Sequence, residues 1–181
     1  MPEPRLIRAS GERFDDYLAM VERTLALGED GDGFSLIDPV PARRNPQALL
    51  QVFDDWHVAR NLPKGFVPQT VYWLLDGDGT LCGETRVRHR LSPQLRIEGG
   101  HIGYFVHPDH RGRGLGHAIL RLALAEVAKH GVDPALVTCN GDNVPSRRVI
   151  EGAGGNLKGK GISPKTGATV LAFEVPAAPA R

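Results

Sequence analysis

Three glycines alternate with charged and apolar residues in Arg111-Gly112-Arg113-Gly114-Leu115-Gly116, just after a hydrophobic run that stops at Pro108. Residues of these types at this spacing can hold an anion. Glycine at 112, 114 and 116 lets a ligand approach the main chain, and the first N–H groups of a following helix have no acceptor of their own. The helix dipole adds roughly half a positive charge at that end, and Arg111 and Arg113 add full ones. A phosphate or pyrophosphate is the natural guest, so the stretch predicts a phosphate-bearing cofactor.

Two elements must position such a loop. His101 to His107 is apolar or aromatic, as expected of a buried strand, and Pro108 ends it because proline cannot donate to a ladder. After the glycines, Leu115, Ala118, Ile119, Leu122 and Ala125 recur at helical spacing, and Lys129, His130 and Gly131 mark the stop. The dinucleotide fingerprint G-x-G-x-x-G does not fit, since His117 stands where its third glycine would be. The phosphate-binding loop closed by Lys and Ser or Thr does not fit either.

What remains is R-x-x-G-x-G from Arg111 to Gly116 behind a strand ending in V-H-P. This resembles the acyl-CoA signature Q/R-x-x-G-x-G/A of the GNAT superfamily of N-acyltransferases, and His101 to Gly155 follows that family's order of strand, pyrophosphate loop, helix, strand and Asn-headed helix. The resemblance implies an α/β fold: one GNAT-like domain over 1–175, its central mixed, mostly antiparallel twisted sheet of about six to seven strands flanked by about four helices. It also implies acetyl-CoA as co-substrate, without a metal, and acetyl transfer to a primary amine of an unidentified small-molecule or peptide acceptor by direct attack on the thioester. Arg111, Gly112, Arg113, Gly114, Leu115 and Gly116 would hold the pyrophosphate. Phe105, Val106 and His107 would offer main-chain groups to the pantetheine arm, joined by Asn143 and Ser146.

Amine acetylation needs a deprotonated nucleophile, a polarised carbonyl and a proton for the departing thiolate. Many relatives carry a glutamate at the start of the central strand as general base. Here the position ten before Arg111 is His101, and Glu98 lies three further upstream. Either a neutral imidazole or a carboxylate working through water could do that work. The helix after the fifth strand often reads N-x-x-A/S-x-x-x-Y in the family, its tyrosine protonating the thiolate; Asn143 and Ser146 match, but Ile150 stands at the tyrosine position. Tyr104, Cys139 or solvent would then supply the proton, or the thiolate would leave unprotonated, helped by nearby donors. That departure keeps a non-catalytic acyl-CoA-binding module open as the alternative, and a nucleotide-binding enzyme would share the same loop.

The rest of the chain supplies the frame. Arg5 to Ala9 predicts a short strand, Ser10 a cap, and Phe14, Tyr17, Leu18, Val21 and Leu25 an amphipathic helix. Gly28 to Arg44 shows no period and predicts a loop, whose Asp30, Asp32 and Asp38 could meet a cationic amine. Asn45 and Pro46 start a second helix carrying Trp56 and His57 as wall residues. Gln69 to Leu75 and Thr80 to His89 flank a DGDG turn as a hairpin; Ala135 to Cys139, Gly154 to Lys160 and Thr169 to Val175 are further strands, and 176–181 is a disordered tail.

At 181 residues the length suits one core. With 22 Lys and Arg against 21 Asp and Glu there is no broad footprint for nucleic acid or anionic membranes. No apolar run approaches the roughly 20 residues of a membrane span, and Cys82 and Cys139, inside predicted strands, suit reduced thiols in the cytoplasm. A homodimer is the default for a soluble enzyme, not a reading of this sequence.

Overall fold

A computed structural model describes residues 3–29 and 37–177. Its strands are β1 (Arg5–Arg8), β2 (Gln69–Leu75), β3 (Leu81–Arg88), β4 (Ile102–Val106), β5 (Ala135–Asn140), β6 (Asn156–Ile162) and β7 (Thr169–Val175). The helices are α1 (Phe14–Ala26), α2 (Pro39–Arg44), α3 (Pro46–His57), α4 (Leu115–Ala128) and α5 (Val144–Gly152). Among the described residues seven strands form two antiparallel ladders, β1-β2-β3-β4 and β5-β7-β6, so the expected α/β sheet is present but divided.

The division positions the site. β4 and β5 meet where their chains begin: the His101 N–H donates to the Leu136 carbonyl at 2.7 Å, and Gly100 comes so close that a Cβ would lie 2.4 Å from that oxygen. Beyond this junction the strands are not paired as a ladder, and a groove lies between them. Gly99 N–H to Thr138 Oγ1 at 2.9 Å and Arg88 to the Gly99 and Gly100 carbonyls at 2.9 and 3.2 Å fasten the junction.

Each side of the sheet carries its own core because strand side chains alternate. Phe14, Tyr17, Leu18 and Val21 of α1 and Phe53 and Trp56 of α3 bury against Val71 and Trp73. Tyr17 stacks on Trp73 with ring centroids 4.6 Å apart. Leu120, Ala123, Leu124 and Val127 of α4 and Ile150 of α5 fill the other side with Val137, Leu171 and Phe173. The charged pair under α1 is matched: Arg86 Nε donates to Glu84 at 2.8 Å, as burial of both requires.

Several expectations are corrected. Pro39 to Arg44 is helical rather than loop, because Asp38 accepts from the Val40 N–H at 3.0 Å and Pro39 sits at the helix start; six residues with two prolines show no readable period. Asp38 is therefore a cap, and Asp30 and Asp32 lie outside the described residues. Ser10 makes no side-chain cap bond, because a 3-10 turn at Gly11–Arg13 intervenes before α1. β6 starts at Asn156, two residues late, since Gly154 has φ +84° and a Cβ at Gly155 would meet Ile150 at 2.7 Å. Of the tail, Ala177 is buried and its N–H donates to Asp133 at 2.9 Å; 178–181 lie outside the described residues.

Away from the groove, Thr70 Oγ1 joins His57 Nδ1 at 2.8 Å and His89 Nε2 at 2.9 Å, and the His89 ring stacks on His130 at 3.7 Å. Burial, then the neighbouring His130 and His57, pull His89 down to about 4. The unfolded chain, with histidine near 6.5, takes the proton first, so the fold loses stability as pH falls from about 6.5 towards about 4. Urea midpoints should drop across that window, and the drop should shrink in His89→Asn; a flat wild-type profile would contradict the assignment.

Candidate active site

The glycine loop forms between β4 and α4 as its sequence predicts, but its three glycines serve different ends. Gly112 and Gly114 have φ +78° and +76°, the left-handed region that favours glycine, and a Cβ at either would meet no described residue within 4 Å. Both therefore face open space at the helix start, where Gly114 is the N-cap of α4. Gly116 is needed for packing: a Cβ there would lie 3.1 Å from Val149 of α5.

A groove of about 1680 Å³ runs from this loop into the gap between β4 and β5. Arg111, Gly112, Gly114, Leu115 and Gly116 line its loop end, Phe105 and Val106 its β4 wall, and Asn143 and Ser146 its α5 wall. His107 and Arg113 are not among the lining residues: His107 Nδ1 accepts from the Asp109 N–H at 3.1 Å, and Arg113 is exposed. Because β4 side chains alternate, the groove reaches residues on both faces of the sheet, Tyr104 on one and Phe105 on the other.

Arg111 is more than a charge for an anion. Its guanidinium pairs through both terminal nitrogens with Glu29, its Nε donates to the Val106 carbonyl at 3.2 Å, and it lies 5.2 Å from the centre of the Phe105 ring. That pairing holds the Glu29 carboxyl below its usual range. Next to it, Arg23 grips Asp109 at 3.1 and 3.2 Å. The end of α1 is thus fastened to the strap that leads into the nest. Glu29 had no sequence signal, since its partner is 82 residues away.

The two candidate bases differ sharply. His101 Nδ1 accepts from the Leu136 N–H at 2.9 Å, which leaves the ring proton on Nε2, and the residue is not among those lining the groove. Burial, with Arg96 nearby, lowers its affinity for a proton further. Glu98 does line the groove, and its Oε2 accepts from Ser163 Oγ at 2.7 Å.

The candidate acids meet in the gap. The Tyr104 hydroxyl and Ser146 Oγ lie 3.0 Å apart, and Cys139 lines the same wall. Burial pushes the Tyr104 hydroxyl up to about 12 and the Cys139 thiol upward as well. Ile150 is fully buried in the α5 core and faces no groove. Asn143 caps α5 by accepting from the Ser146 N–H at 3.1 Å.

Residues 35–154, more than half of the chain, match the family model described as Acetyltransferase (GNAT) family. The chain belongs to the GNAT acetyltransferase family. It is accordingly an acetyl-CoA-dependent N-acetyltransferase, and the nest, helix start and strand gap fit that co-substrate. Among solved structures this GNAT chain is similar to a putative GnaT-family acetyltransferase from Bordetella pertussis, at 22% identity over 94% of this chain and 93% of that one, TM-score 0.64. It is also similar to the Salmonella typhimurium acetyltransferase that modifies the N-terminal serine of ribosomal protein L7/L12 (14% identity, 97% and 96% covered, TM-score 0.69). A third is yncA, a putative acetyltransferase from Salmonella typhimurium solved with its cofactor acetyl-CoA (15%, 98% and 95%, 0.60). At these identities the likeness speaks for the fold. No curated protein matches the sequence. Among the described residues no helix is long and apolar enough to cross a membrane.

Proposed function

We propose that this GNAT enzyme acetylates a primary amine by direct attack, with Glu98 as general base and Tyr104 as the donor to the leaving thiolate. The observation that carries the proposal is the Tyr104 hydroxyl beside Ser146 in the gap between β4 and β5, on the wall of the groove that starts at the glycine nest. It offers the function that Ile150 cannot.

Bound acetyl-CoA supplies a thioester whose carbonyl carbon takes the amine nitrogen while its sulfur departs. The first-turn N–H groups of α4 and the Gly112 to Gly116 backbone would hold the pyrophosphate, aided by the dipole of α4. The main chain of Val106, on the side of β4 turned to the gap, would carry the pantetheine arm, whereas that of Phe105 is turned to β3. Glu98, at the other end of the groove, takes the amine proton directly or through one water. Tyr104 stays protonated over the working range and donates to the sulfur, while Ser146 can donate to Tyr104 in turn.

The acceptor is a small-molecule or peptide amine that enters from the side of Lys64, Phe66 and the Pro164 to Thr166 turn, which share the groove. A cytoplasmic location belongs to the same proposal and is supported by two unpaired, buried thiols, Cys82 and Cys139.

Tyr104→Phe tests the assignment. A thiolate is already a good leaving group, so the expected loss is modest: kcat about tenfold lower with the KM for acetyl-CoA unchanged. Wild-type kcat in this variant would remove Tyr104 from the reaction.

A further inference from the structure

The turn between β6 and β7 lies beyond the segment matched to the family, yet Pro164, Lys165 and Thr166 border the groove. At its base Ser163 is buried, only 2% exposed, and its hydroxyl has three neighbours. The N–H groups of Lys165 and Thr166 donate into Oγ at 3.2 and 3.1 Å. The third neighbour is Glu98 Oε2, at 2.7 Å.

A serine hydroxyl has one proton and two acceptor positions. Both acceptor positions are used by the turn's own N–H groups, so the proton has one direction left, towards Glu98. The bond is as short as hydroxyl-to-carboxylate bonds are, about 2.5–2.7 Å. The backbone beneath Glu98 is fixed as well, by Glu98 N–H to Gln94 O at 3.0 Å and Gly100 N–H to Leu95 O at 2.8 Å. A carboxylate on a surface link would otherwise rotate among several rotamers.

We infer that Ser163 is a positioning residue for catalysis, its hydroxyl aiming the Glu98 carboxylate into the groove, which makes the β6–β7 turn part of the active site. The inference rests on the assignment of Glu98 as base. One oxygen of Glu98 is held by Ser163, and the other is left to take the amine proton. The link spans 65 residues of sequence and ties the chemistry to a hairpin that otherwise only closes the sheet.

Steady-state kinetics on Ser163→Ala, Ser163→Thr and Ser163→Asp, with and without Glu98→Gln, tests this. Ser163→Ala should lower kcat about tenfold with the KM for acetyl-CoA unchanged, and Ser163→Thr, which keeps the hydroxyl, should recover most of the loss. Ser163→Asp can still accept from Lys165 and Thr166, but its carboxyl beside that of Glu98 makes the pair hold one proton between them and removes the free carboxylate, so it keeps the turn and should lose at least as much as Ser163→Ala. In Glu98→Gln, Ser163→Ala should cost nothing further. Wild-type kcat in both Ser163→Ala and Ser163→Asp, or a loss that multiplies with that of Glu98→Gln, would overturn the inference. If Glu98→Gln alone is fully active, the base assignment itself fails, a result readable apart from the serine variants.

Discussion

Gly114→Glu is expected to abolish acetyl-CoA binding, raising the Kd by at least about 100-fold, or roughly 2.7 kcal/mol. Two effects add. Gly114 has φ +76°, where a side-chain-bearing residue costs about 1–2 kcal/mol. The larger effect is electrostatic: the carboxylate would sit at the N-terminus of α4, in the open space where the N–H groups face the groove, and would repel the pyrophosphate while taking its donors. Gly131→Glu separates the two. Gly131 has φ +75° with nothing within 4 Å of a Cβ, but it follows the far end of α4. That variant should share the backbone strain and bind coenzyme A normally. Calorimetric titration of both reads the difference, and unchanged affinity in Gly114→Glu would refute the placement of the pyrophosphate.

Glu98→Gln should lower kcat by about 100-fold or more, the usual scale for losing a general base. Glutamine keeps an oxygen that can accept from Ser163, so the β6–β7 turn and the thermal midpoint should be retained. Coenzyme A affinity should also hold, since the loop proposed to hold the pyrophosphate follows the end of β4, whereas Glu98 precedes its start. The contrasting variant is His101→Gln. Its ring nitrogen accepts the Leu136 N–H where β4 and β5 meet, so its loss should lower stability with kcat largely intact in the folded fraction. The reverse outcome, Glu98→Gln active and a stable His101→Gln inactive, would transfer the base role to the histidine.

The glycine loop and the elements on either side of it were legible because they are local. Strand, nest and helix lie within Ile102 to Ala128, and the left-handed conformations at Gly112 and Gly114 are written in residue type. The α1 and α3 stripes and the hairpin were legible for the same reason, as periodicities of a single element. What the sequence hid depends on partners far apart in the chain. His101 and Glu98 read as equals in the sequence; in the fold Leu136 N–H occupies one and the Ser163 hydroxyl bonds to the other. Arg111 read as a phosphate ligand, and its tie to Glu29 could not be foreseen. Tyr104 was a candidate only by default; the hydroxyl of Ser146, 42 residues on, gives it a place in the gap. The short helix α2 stayed hidden because its two prolines read as loop while they also supply the N-terminal start.

The measurement closest to the central claim is thiol release from acetyl-CoA by the purified protein against a panel of amines, amino acids, polyamines, aminoglycosides and peptide N-termini, with product masses recorded. At least one amine is expected to gain an acetyl group, with one thiol appearing per acetylated product. Coenzyme A binding with no turnover on any amine, or tight ATP or NAD binding with none for coenzyme A, would contradict it.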